Sequence, residues 1–332
     1  MIREQEDETH SIKSNQSTVT LEPLNDDELA LLGAPWAKEG LLSRKIQVEA
    51  AGKKHQKKDW KQYFVVIQKG DLHMFVFGEK GSKGPSMGMG GMGGGNWLSN
   101  AKTTGEYSLM HAMAMALPKP GYSASRPYCF TVTFPTGEIS VYQAGTEELV
   151  AEWVATCNYW AARKSRQPLV GGVSNIEYGW TRVLDENGDG TPPPEAPSVI
   201  SSRSSPSMTR LGAMRSRGSQ NLDKMTIVEW KPPPHATMPS NLDEEAQLEA
   251  LLMYVQSLKE ELDQHKSIEE PMSRLYTPGS KNAVKARENW TAKSRYIHSE
   301  IFKYETYVEA LRNAISLRML KQQERKAAQP GK

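Results

Sequence analysis

The chain has 332 residues, 38% of them hydrophobic, and a net charge of +2. A mean hydropathy of −0.60 is low for a chain packed throughout and predicts disordered stretches between folded ones. Near-neutral charge excludes a chain-wide attraction to polyanions, so any anion site must be local. Two cysteines, Cys129 and Cys157, are too few for a disulfide framework or a structural zinc centre. No apolar run has the form of a signal peptide or reaches membrane-spanning length. The expectation is a cytoplasmic protein that meets membranes only at their surface.

Residues 1–34 are acidic and polar without a sustained apolar period and read as a disordered leader. A short amphipathic turn at 27–32 carries Leu29, Leu31 and Leu32. Two strand-forming runs come next, at 40–42 and 63–67, flanking a polar loop. Arg44, Lys45, Lys53, Lys54, Lys57, Lys58 and Lys61 stand there against Glu49 and Asp59. A hairpin would gather these cations at one open end of a sheet, a setting that attracts phosphate. Taken alone, the charge run reads more readily as a solvated loop, since most lysine-rich loops are no more than that.

Further strands are predicted at 72–77, 106–111, 128–134 and 138–143, with a seventh not distinct. The Gly/Met-rich stretch 78–104 reads as a flexible loop. Its Gly88, Gly90 and Gly93 match a dinucleotide fingerprint only formally, because no strand runs directly into it and no helix opens on it. Residues 112–125 read as a connection with Met113, Met115 and Leu117 packed beneath. The period then becomes helical. Thr146 suits an N-cap, Glu147 and Glu148 the first turn, and Lys164 and Arg166 the far end. Leu149, Val150, Trp153, Val154, Cys157, Trp160 and Ala161 recur at helical spacing until Pro168. Such a helix can plug one end of a partly open barrel, and both cysteines then read as core.

Residues 168–180 form an extension with Ile176, Tyr178 and Trp180 available to dock. Asp185, Asn187, Asp189 and Gly190 imitate the start of a calcium loop, but its twelfth position is Ala196 and prolines fill 192–194, so a solvated turn is the better reading. Residues 181–241 are a Pro/Ser/Arg-rich linker. Within it, 225–234 has an apolar stripe suited to a strap, and phosphorylation at Ser205-Pro206 or the neighbouring serines would invert the local charge. Over 242–325, a helix at 243–263 (Leu248, Leu251, Val255, Leu258, Leu262) and a longer one at 282–325 (Trp290, Ile297, Ile301, Tyr304, Val308, Leu311, Ile315) predict an antiparallel hairpin. Pro271 and Pro278-Gly279 mark the break between them. Residues 326–332 are a disordered tail.

Several motifs resemble one family. KEGLL (38–42), DWKQYFVV (59–66) and WVATCNYWAAR (153–163) are similar to a pleckstrin homology domain, spanning 35–167. PLVGGVSNIEYGW (168–180), IVEWKPP (227–233), EEAQLEALLMYVQSLKEEL (244–262) and NWTAKSRYIHSEIFKYETYVEAL (289–311) resemble the region C-terminal to that domain in fungal Arf exchange factors of the pleckstrin-and-Sec-seven type. The resemblance implies an α+β chain: an antiparallel barrel capped by a C-terminal helix, then a linker and a helical hairpin. It implies a phosphoinositide-containing membrane as partner and an Arf-type GTPase as the regulated protein, with attachment at the plasma membrane. The seven basic residues named above would take the headgroup; only Lys61 of the expected basic pair after Trp60 is present. A Sec-seven domain is too large for the leader, so the expectation is a regulatory region that is not itself an enzyme. No cofactor, metal or nucleic acid is expected. The competing reading is a protein-interaction or autoregulatory module that binds a GTPase, the cytoskeleton or its own catalytic domain without lipid specificity.

Overall fold

A computed structural model describes residues 26–50, 59–77, 101–168, 176–181, 183 and 225–328. The expected leader up to 25, the glycine loop over 78–100, the calcium-like turn and most of the linker lie outside the described residues. So do Lys53, Lys54, Lys57 and Lys58.

A short helix, α1 (Asp26–Ala30), precedes the strands β1 (Lys38–Val48), β2 (Lys61–Gln68), β3 (Asp71–Phe77), β4 (Ala101–Ser108), β5 (Met113–Ala116), β6 (Cys129–Thr133) and β7 (Ile139–Gln143). They form one antiparallel sheet in the order β4-β3-β2-β1-β7-β6-β5. Strand β1 bridges its two halves, pairing Arg44 with Lys61 on β2 and with Tyr142 on β7. Val65, Ile67, Leu72, Met74, Phe130, Val132 and Tyr142 are buried inside.

The strand expected at 106–111 begins earlier, as β4, and ends at Ser108. The seventh strand is β5, inside the segment read as a connection. Its sequence MAMA pairs on one side only, with β6, and carries one buried side chain, Ala114. So short an edge strand leaves little apolar alternation to read.

Helix α2 (Glu147–Lys164) begins at the N-cap Thr146, whose hydroxyl accepts from Leu149 N. It closes the end where β1 starts: Trp153 is buried, and Lys38 pairs with Glu152. Its other face is covered too. Tyr159 and Ala162, which lie off the Trp153 stripe, are 0% exposed, so a helix expected to show one apolar face has two. Burial pushes the Cys157 thiol up to about 12, which fits a core residue rather than a reactive one.

The second cover is the helical hairpin. Helix α3 (Glu244–Ser267), the short α4 (Glu269–Leu275) and α5 (Lys281–Ala327) come after the linker. Contacts between α3 and α5 run in opposite senses: Glu245 with Arg318, Lys259 with Glu305, Glu261 with Lys293, His265 with Trp290. The seams meet through Leu251, Val255, Leu258 and Leu262 against Ile297, Tyr304, Val308 and Leu311. Pro271 does not end a helix. It lies in the first turn of α4, where its missing N–H leaves no helical bond unmade.

Barrel and hairpin share one continuous core, and polar contacts fix their fit. The buried Glu244 carboxylate accepts from Trp36 Nε1 at 3.3 Å and Tyr159 Oη at 2.6 Å and pairs with Arg318 at 2.7 Å. Gln247 Nε2 donates to the carbonyls of Ala162 and Ser165 at 2.7 and 2.8 Å, satisfying acceptors at the end of α2. A strap over 225–240 crosses the junction. Asn289 clips it to 176–181, donating to the carbonyls of Tyr178 and Val228 and accepting from Trp230 N. Gly179 permits this approach, since a Cβ there would lie 2.3 Å from that of Ala286.

Arg318 is 9% exposed and keeps Glu245 as a second partner. Breaking a buried pair from one side costs about 3–5 kcal/mol. Glu244→Ala should therefore lower unfolding stability by roughly 3 kcal/mol, read by thermal or denaturant melts.

Where the strap meets the β4–β5 turn, His111 and His235 stack with ring centroids 4.8 Å apart. The nearby Lys303, paired with Glu300, adds positive charge. Burial, then His235, hold the His111 pKa down to about 4, and burial lowers that of His235. The folded state thus binds fewer protons than the unfolded chain below the unperturbed value of about 6.5. Stability should be full above that pH and decline as pH falls from about 6.5 toward 4. His111 has φ 61°, a conformation asparagine tolerates, so melts of His111→Asn across this range should show a flatter pH dependence than the parent.

Candidate functional site

The connection between β1 and β2 and the turn between β6 and β7 leave the sheet at the end opposite α2. Strand alternation sends neighbouring side chains to opposite faces, and the β1–β2 register sorts the basic residues accordingly. Arg44 lies opposite Lys61. One step along, Lys45 points to the other face, with its ammonium 5.9 Å from the centroid of the Trp60 indole.

On the inner face, the two partners diverge. Lys61 is exposed. Arg44 is expected at the rim but is 5% exposed and turned into the barrel. Its Nε donates to Ser140 Oγ at 3.0 Å and its Nη2 to the Glu138 carboxylate. The guanidinium lies over the Tyr107 ring at 4.7 Å. Burial disfavours its charge, but Tyr142, Tyr107 and Glu138 outweigh that effect and raise its pKa. The physical reason for the different placement is local: Glu138 and Ser140 at the start of β7 offer acceptors that a buried guanidinium needs.

On the outer face, a cluster of cations and rings assembles from three segments. Gly121 has φ +76°, and a Cβ there would fall 2.3 Å from Pro127 O. The turn this permits is closed by Tyr122 N to Arg126 O and by Arg126 N to Ser123 O. It carries Tyr122 and Arg126 to Trp60. The Arg126 guanidinium lies 4.3 Å from the Trp60 ring centroid, and Trp60 meets Tyr122 edge-on at 5.1 Å. Lys45 Nζ donates to Tyr122 Oη and lies 4.6 Å from its ring centroid. Gln143 Oε1 accepts from Arg126. Two cations thus stand fixed around two partly exposed rings.

Of the basic residues expected at the site, the structure brings Lys45 into this cluster, while Arg126, Tyr122 and Glu138 were not among those expected. The motif GYSASRPY (121–128) carries one cation and no periodicity, and only the fold brings it beside Lys45. A separate groove of about 670 Å³ lies on the hairpin between α4 and α5, lined by Met272, Tyr276, Ala286 and Trp290 among others; none of these cations lines it. Among the described residues, no group of three or more His, Cys, Asp or Glu side chains forms a metal site. No described helix is long and apolar enough to cross a membrane.

An antiparallel barrel closed by one C-terminal helix, with basic residues at its open end, defines the class: residues 37–162 form a pleckstrin homology domain, matching that family's model. The chain is also similar to proteins that carry more than this domain. It is 30% identical over 160 residues to a PH and SEC7 domain-containing protein of Schizosaccharomyces pombe, covering 48% of this chain and 15% of that one. It is 26% identical over 206 residues to the guanine-nucleotide exchange factor YEL1 of Lachancea thermotolerans, covering 56% and 28% respectively. The chain thus spans less than a third of these relatives. Among solved structures, the pleckstrin homology domain of ArhGAP27 aligns over 38% of this chain and 98% of its own at 21% identity, with a TM-score of 0.28.

The two faces should respond differently to substitution. Arg44→Ala leaves Glu138 without its cation in a 15% exposed position and should cost about 3 kcal/mol of unfolding stability. Lys45→Ala and Arg126→Ala remove partly exposed cations and should each cost less than about 1 kcal/mol. Chemical denaturation of the three variants checks this contrast.

Proposed function

We propose that this chain is a phosphoinositide- and anionic-membrane-binding regulatory region, which recruits or regulates an Arf-type exchange activity at the membrane. The observation that carries the reading is the paired placement of Lys45 and Arg126 around Trp60 and Tyr122, with Lys61 exposed at the same end of the sheet. Guanidinium and ammonium groups donate charge-assisted hydrogen bonds to phosphate oxygens. Aromatic rings with a polar edge suit the depth of lipid headgroups. Lys53, Lys54, Lys57 and Lys58 lie in the connection between these strands and add to the attraction in this reading. Each basic group near an anionic leaflet contributes about 1 kcal/mol, screened by salt.

The link to exchange rests on the relatives, one named for a SEC7 domain and one as a guanine-nucleotide exchange factor. In this reading the region attaches and orients, while exchange resides in a separate domain. In the competing reading the hairpin or the barrel binds a GTPase, the cytoskeleton or a catalytic domain without lipid specificity.

Vesicle co-sedimentation tests the proposal. The parent chain should bind vesicles containing phosphatidylinositol 4,5-bisphosphate more tightly than phosphatidylserine vesicles of equal charge, and neutral vesicles hardly at all. Lys45→Ala, Lys61→Ala and Arg126→Ala combined should weaken that binding about tenfold or more, since a few kcal/mol are removed, and should reduce its salt dependence. Equal binding by parent and triple variant would overturn the reading.

A further inference from the structure

The Arg44–Glu138 pair occupies the inner mouth of the barrel, where Arg44 and Lys61 stand as cross-strand partners. Glu138 presents one carboxylate oxygen to both Arg44 Nη2 and Ser140 Oγ, the latter at 2.9 Å. An anion bound by this guanidinium and hydroxyl would need that same place. The site is built for a negative charge and is already filled by one belonging to the protein. Its walls hold the guanidinium still: Tyr107 stacks on it, Tyr142 flanks it at 5.9 Å, and Met74 Sδ lies 3.7 Å from Nη1. By contrast, the outer face offers Lys45 and Arg126 held by rings and neutral acceptors, with neither paired to a carboxylate among the described residues.

We propose that Glu138 acts as an internal competitor that closes the inner mouth to phosphate, so that a phosphorylated inositol headgroup is taken on the outer face by Lys45 and Arg126. The proposal rests on the anionic-headgroup reading and adds which face is used and what selects it. A phosphate group carries more charge than a carboxylate, but it would have to displace a covalently tethered anion already in contact, whose effective concentration is high. It would also leave Glu138 unpaired close to the incoming negative charge, which repels it. The outer face makes neither demand.

Glu138→Gln is the informative change. The amide keeps the size of the side chain and an oxygen that accepts from Arg44 and Ser140, while the competing charge is gone. Soluble inositol 1,4,5-trisphosphate, followed by isothermal titration, reports headgroup binding without a membrane. The same variants on vesicles containing phosphatidylinositol 4,5-bisphosphate report the lipid-borne form, and thermal melts report folding. Glu138→Gln should bind the soluble trisphosphate about tenfold more tightly than the parent. Adding Arg44→Met to Glu138→Gln should remove that gain, because the guanidinium is its source. Lys45→Ala with Arg126→Ala should weaken vesicle binding by the parent, yet leave most of the gain produced by Glu138→Gln.

A Glu138→Gln protein that melts as a folded domain and binds the trisphosphate no more tightly than the parent would overturn the proposal. So would a gain that survives Arg44→Met, or parent vesicle binding indifferent to Lys45→Ala with Arg126→Ala. Should the parent bind no anionic vesicle at all, the broader reading of function fails. The Glu138→Gln comparison still decides the competitor's role in that case, because its signal is the difference between two soluble titrations. If Glu138→Gln fails to fold, Glu138→Ser in the same titrations supplies the neutral mouth, and its gain or lack of gain decides in the same way.

Discussion

The Glu244 carboxylate is the constraint on which the joined architecture depends. A buried charge must be matched by donors, or it destabilises the fold by several kcal/mol. Its donors come from three parts of the sequence: Trp36 before β1, Tyr159 on α2 and Arg318 near the end of α5, all converging on the first turn of α3 that Glu244 itself opens. None of these can shift without leaving the charge partly unmatched. The register of the hairpin on the barrel is therefore set by an electrostatic requirement at one point. The apolar seams around it supply the bulk of the burial and would tolerate sliding more readily.

That requirement explains the character of α2. A helix that caps a barrel needs one apolar face, yet here Trp153 is buried against the barrel while Tyr159 donates to Glu244 of the hairpin and the Ala162 carbonyl accepts from Gln247. The polar groups that remain are satisfied internally. Asn158 exchanges two hydrogen bonds with the backbone of Ala114, and Thr156 Oγ1 donates to Glu152 O. The helix is interior in both directions, so the surface the barrel itself leaves open is its far end and its outer sheet face.

Much of this was legible in the sequence where a period or a cap had a single reading. Thr146 with Glu147 and Glu148 marked the start of α2, and the three-four spacing of leucines marked α3. What escaped were features with no local signature. Strand β5 is four residues long with alanines at alternate positions. Pro271 signals a break equally well whether it ends one helix or begins the next. The placement of Arg44 depended on Glu138, 94 positions away, and basic residues at a strand end look alike whether they face solvent or a carboxylate. Arg126 and Tyr122 joined the site only through the turn that Gly121 permits. Loops reached across a sheet contribute to sites in ways that spacing along the chain does not encode.

The fixing of α5 to α2 also has a mechanical side. The stretch of α5 from Lys281 to Tyr304 is about 35 Å long at the usual helical rise, and its far end is bolted through Trp180, Ile227 and Met272 into a second small core. With its near end locked to the barrel through Tyr304 and Tyr307, it behaves as a stiff arm rather than a tether. Any surface that seats the barrel's open end therefore also sets the heading of that arm. A rocking of the barrel by about 10° would sweep its tip through about 6 Å over that length. Whatever is joined to the hairpin is thus aimed as well as held.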